Sequence, residues 1–139
     1  MSIIDTAISR VQTLALAVTT SKVKAAPDYP VEDASVLPLV ITHITSGTAQ
    51  ADNATNARLL LNLSCDVHFD RISIKNTYKA IDGFIPEFLQ RLAGDPTLGG
   101  AVETIIYPVT FSVSPAEWDS IVTQMVSFTI PVKFLETPI

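Results

Sequence analysis

What this chain has little of narrows its functions before anything it contains does. There is one cysteine, Cys65, in 139 residues. A disulfide framework within one chain is excluded, and so are Cys-x-x-Cys redox and zinc motifs. Charge is scarce: Asp, Glu, Lys and Arg make up 17 % of the chain, with 9 basic residues against 14 acidic and a net charge of −5. That balance cannot supply a basic surface that grips nucleic-acid phosphates. The five glycines form neither a Gly-x-Ser-x-Gly elbow nor a GxxxxGK[ST] loop. Gly99-Gly100 closes a helix and leads to a strand, whereas a phosphate cradle opens a helix. No apolar run approaches the roughly 20 residues needed to cross a bilayer, and no signal-peptide pattern opens the chain. The expectation is a soluble protein made in the cytosol, with no membrane partner.

What is present centres on Ala57–Arg71. Ala57, Leu59, Leu61, Leu63, Cys65, Val67 and Phe69 alternate with Arg58, Asn62, Ser64, Asp66, His68 and Asp70, broken only by Leu60. Alternation of this kind marks a strand with one wall in a core and the other toward water or a partner. Unbroken, it would reach about 50 Å at about 3.3 Å per residue, against an ordinary strand of about six residues. A strand that long projects past its own sheet, which suggests an assembly. On its apolar face, Cys65 reads as a buried thiol.

Around it, Ile4, Ala7, Ile8, Val11, Ala15 and Val18 predict an N-terminal helix, capped by Ser2 with Asp5 in its first turn. Residues 22–35, with Pro27, Pro30 and three acids, read as a surface loop. Val36–Thr45 reads as a strand that is central or covered on both sides, and Ser46–Asn56, small and polar, as a mobile loop at a hairpin tip. A second helix capped by Asn76 has the stripe Tyr78, Ile81, Ile85, Phe88, Leu89 and Leu92, with a kink or restart expected at Pro86. Ala101–Val113 follows as a strand made edge-like or bulged by Pro108. Ser114–Asp119 reads as a turn and Ser120–Glu136 as a last long strand. Helix, two strands, helix, two strands is most simply α+β: one domain, mainly antiparallel sheet in two hairpins, with both helices on one face.

Chemistry is thin. Asp66-x-His68-x-Asp70 is the only close polar constellation, and alternate strand residues stand about 7 Å apart, too far to share a metal ion on a straight strand. A solvated or subunit-facing edge is expected there, and His43, among aliphatics in the first strand, reads as a satisfied core or boundary histidine. No catalytic residue, cofactor or metal site is expected.

The stretch Phe84–Val102, with its ending Asp95-x-Thr97-Leu98-Gly99-Gly100-x-Val102, resembles the tail terminator family of long-tailed bacteriophages, the minor tail protein U type. The element order agrees along nearly the whole chain, and Pro86 departs from the pattern. The resemblance implies a structural virion protein without catalytic residues. Six copies would form a ring on the last ring of tail-tube protein, stop tube growth and meet the head-side connector or stopper protein. DNA would pass through the lumen without specific binding. Candidate ring or neighbour contacts are Thr48, Gln50, Asp52 and Asn53 in the polar loop, and Asp66, His68 and Asp70 on the long strand. Candidate lumen residues are Glu32, Asp33 and Asp52. The alternatives are another neck or head-tail completion protein, a tube subunit, or a small-molecule-binding α+β protein, which would show a closed pocket with convergent polar groups.

Overall fold

The computed structural model describes residues 3–18, 37–51, 56–71, 73–118, 121–134 and 137–138. In chain order the elements are α1 (Ile3–Leu16), β1 (Leu39–Ala51), β2 (Asn56–Phe69), α2 (Ile74–Ala93), β3 (Thr104–Ile105), β4 (Thr110–Trp118), β5 (Ile121–Lys133) and β6 (Thr137–Pro138). The strands make one antiparallel sheet in which β1, β2, β5 and β3 lie side by side, β4 also pairs with β5, and β6 pairs with β2. Two hairpins, β1–β2 and β4–β5, are joined through the β2–β5 pairing. This is the α+β arrangement that the alternation and stripes foretold.

Register explains the core. Val67, Cys65, Leu63 and Leu61 of β2 stand opposite Val126, Phe128, Ile130 and Val132 of β5, and none of the eight is more than 8 % exposed. Both helices cover that face. From α2, Phe88 meets Phe128 edge-on with ring centroids 4.8 Å apart, and Phe84 stacks on Phe88 at 5.3 Å. From α1, the buried Gln12 donates its Nε2 hydrogen to Val40 O (2.8 Å) and accepts at Oε1 from the Thr42 hydroxyl (2.5 Å). Thr42 pairs with Cys65, which pairs with Phe128, so these contacts share one face.

Several expectations are corrected. The buried stripe of α2 is Thr77, Ile81, Phe84, Phe88 and Leu92, while Tyr78 is 45 % exposed. Ser73, not Asn76, occupies the N-cap, with no side-chain cap of its own. The Thr77 hydroxyl instead lies 2.7 Å from Asp70 O and 2.8 Å from Ser73 O, tying the first turn to the end of β2. The helix runs through Pro86 without a restart. Pro86 and Asp82 are both exposed, so the carbonyl that loses its partner belongs to the wet side of the helix, where water replaces the bond.

β1 is an edge strand and not a central one. It also runs on past Thr45, because Ser46–Ala51 pairs in register with Ala57–Asn62. The polar segment is therefore mostly ladder, not mobile loop. Small polar residues lack strand propensity, but backbone pairing to the strong β2 partner overrides it. Thr45 is the extra residue of a bulge between Ile44 and Ser46. Ser114–Trp118 is likewise strand and not turn, paired out to Ile121. The expected Ala101–Val113 strand is split: β3 pairs at Ile105↔Val132 and β4 resumes at Thr110↔Thr129. Pro108 sits in that gap and Pro131 stands at the same level of β5. Neither has an N–H to extend a ladder.

Candidate functional site

Asp66 of β2 is the hub of the only dense polar cluster on the helix-free face, among the described residues. Its Oδ1 accepts from Ser127 Oγ (2.7 Å) and Ser64 Oγ (2.9 Å), and its Oδ2 lies 3.0 Å from His43 Nε2. Strand order makes this cluster: Asp66 lies opposite Ile41 on β1 and Ser127 on β5, so neighbours on both sides reach it. The types are those of a hydrolase triad, but the order is wrong. In a triad the imidazole stands between carboxylate and hydroxyl and takes the hydroxyl proton. Here the carboxylate stands in the middle, and no imidazole contact to Ser64 or Ser127 is present among the described residues. The arrangement orients polar side chains and does not activate a nucleophile.

His68 is 7 % exposed and its Nδ1 lies 2.8 Å from Thr123 Oγ1. Burial pushes its pKa below the ordinary value, against the opposing pull of the Asp66 charge. It is therefore sealed inside the protomer and not presented to a neighbour, which corrects its place among the contact candidates. Asp66 is 18 % exposed at its side chain and committed to three partners. Asp70 is exposed at the end of β2. The run Asp66-x-His68-x-Asp70 is thus split among three environments, and no group of three or more His, Cys, Asp or Glu among the described residues could hold a metal.

Thr48 and Gln50 are exposed on β1, opposite Leu60 and Arg58. Asp52, Asn53, Glu32 and Asp33 lie outside the described residues. Across the same helix-free face runs an open groove of about 380 Å³, lined by Ser46, Thr48, Leu60, Asn62, Ile106 and Pro131 among others. Its amide, Asn62 Nδ2, is already donated to Ser46 Oγ at 2.9 Å. The groove is a furrow between strands and does not converge polar groups on a point.

Cys65 is fully buried, and burial, set against a hydrogen bond with Thr42 and reinforced by the Asp66 charge, pushes its thiol up to about 12. It is held as a thiol, as its place on the apolar wall implied.

Two surfaces stand out as unspent. Residues 44–51 of β1 are exposed throughout, although all but Thr45 pair with β2, so the outer half of β1 is an open sheet edge, while β2 beside it is backed by β5 and β6. On the helix side, Phe111, Val113 and Val122 of the β4–β5 hairpin are 47, 39 and 48 % exposed, because neither helix reaches that edge. Pattern alone missed the second surface: Phe111 and Val113 continue the apolar alternation of a core face, and only the width of the helical cover shows that they lie past it. No model of a known protein family matches the sequence, and no curated protein was found similar to it.

Proposed function

We propose that the chain is a structural assembly protein of the phage tail terminator kind, six copies forming a ring that caps the tail tube, stops its growth and faces the head-side connector. The observation that carries the reading is the outer half of the β1–β2 hairpin, a blade in which residues 44–51 of the edge strand β1 are all exposed. A long exposed strand edge is a template for pairing with another chain, so this edge fits a surface completed by a neighbour. The resemblance at Phe84–Val102 supplies the identity of that neighbour. Low net charge of one sign suits a conduit: six copies at −5 carry on the order of −30, which repels DNA phosphate and lets the genome pass unbound. Glu32, Asp33 and Asp52 are the proposed lining.

Negative-stain microscopy of the purified chain tests this directly. Closed rings of six are expected. Filaments that grow without limit would make it a tube subunit instead, and particles of monomer size at every concentration would remove the assembly reading.

A further inference from the structure

The two apolar surfaces that the helices leave open differ in charge, and that difference suggests how copies meet. The first is the β4–β5 patch of Phe111, Val113 and Val122. Its backing is firm: the Phe111 ring stands 5.8 Å from the buried Phe128 ring, so the patch is an uncovered margin of the core and not a loop. Glu117 lies opposite Val122 in register and is exposed. Among the described residues of β4 and β5 the only other charge is Lys133, which is paired with Glu103 at 2.8 Å. The patch is therefore apolar with an acid, Glu117, beside it.

The second surface is the start of α2. Ile74 and Tyr78, one turn apart, are each 45 % exposed. Lys75 and Lys79 form the adjoining column, also exposed, and neither makes an ion pair with another described residue. With Arg71 just before the helix, three cations outnumber the two exposed acids there, Asp70 and Asp82. This surface is apolar and basic.

The geometry points to a heterologous contact between copies of this chain, in which the acidic β4–β5 patch of one copy seats against the basic N-terminal turns of α2 of the next. The occupant is a second copy because each surface supplies what the other lacks: aliphatic and aromatic area of similar kind, with opposite charges beside it. Each copy carries both halves, so the contact runs head to tail and generates a ring or a filament. The inference rests on the ring-forming reading and adds the surfaces on which the ring closes. The β1–β2 blade is left free for the neighbouring ring.

The test is charge reversal, read by sedimentation velocity of the full chain. Glu117→Lys and the pair Lys75→Glu with Lys79→Glu should each weaken assembly about tenfold or more, because like charges then face each other. All three changes together should restore assembly to near wild type. Salt of about 0.5 M should weaken the wild-type contact and leave the apolar part. Thermal melts of the variants should match wild type, since no ion pair within the chain is lost. Wild type that assembles, with Glu117→Lys assembling equally well, overturns the inference and leaves the ring reading standing. Failure of the triple change to improve on the single ones also overturns it. A wild type that stays monomeric at high micromolar concentration removes the ring reading, and this contact with it. Val122→Asp gives an independent check: it should abolish the contact with no change in the fold.

Discussion

Replacing Gln12 by leucine should separate a polar clasp from simple helix packing. Gln12 is 2 % exposed and spans α1 and β1 with two hydrogen bonds, one to Val40 O and one from the Thr42 hydroxyl. Leucine keeps roughly the volume and removes both. It leaves the Val40 carbonyl without this donor and the Thr42 hydroxyl with only the weak Cys65 sulfur beside it, each at about 1–3 kcal/mol, partly offset by the gain in apolar surface. A net loss of about 2–4 kcal/mol follows. Unfolding entropy of about 2.1 cal/mol/K per residue gives a chain of 139 residues about 0.3 kcal/mol per degree, so Tm should fall by roughly 7–13 °C. Thr42→Val in the same chain removes the stranded hydroxyl, so the double variant should recover about 1–3 kcal/mol of that loss. Urea unfolding followed by circular dichroism measures both. A single variant within about 0.5 kcal/mol of wild type, or a double variant no more stable than the single, would refute the clasp.

Two further outcomes follow from buried groups. Cys65 should resist iodoacetamide in the folded protein at mildly alkaline pH and react promptly in denaturant, because only the thiolate is nucleophilic and burial holds its pKa at about 12; prompt alkylation of folded protein would contradict that burial. His68 prefers its neutral form in the fold, with a pKa below the ordinary 6.5, so the unfolded chain takes up a proton that the folded one refuses. Its contribution to stability is whole above about 6.5 and declines as pH falls below it, and His68→Asn should flatten that part of the urea-stability profile.

How much of this was readable beforehand depended on whether a residue's neighbours lie close in sequence. Period-2 alternation from Leu61 to Phe69 needs no tertiary information, and it placed a core wall and a buried Cys65 where they are. The stripe of α2 was half right, because Tyr78 and Phe84 are both apolar and only the angle at which α2 crosses the sheet chooses between them. Ser46–Ala51 reads as loop because its own residues say loop, while the ladder comes from Ala57–Asn62 across the hairpin. The Asp66 cluster was out of reach: His43 and Ser127 stand 23 and 61 residues away, and only strand order brings them in. Gln12 lies outside the apolar stripe that marks the first helix, and nothing in its sequence neighbourhood signals a buried carbonyl beside it.

The bulge at Thr45 has a further effect on the outer half of the hairpin. By inserting one residue it turns Gly47, Ala49 and Ala51 to the same side as Leu61, Leu59 and Ala57, and Ser46, Thr48 and Gln50 to the side of Asn62, Leu60 and Arg58. One side of the blade is smooth and nearly free of hydrogen-bonding side chains; the other carries hydroxyls, amides and a guanidinium. Leu61 is core and Leu59 packs at its margin, so only beyond them is the hairpin's depth that of a single sheet. Two surfaces that clasp it at ordinary sheet-packing distance, about 10 Å on each side, must stand about 20 Å apart. Those two surfaces cannot be alike: the one on the glycine–alanine side must be shaped to fit, and the one on the other side must be equipped to hydrogen-bond.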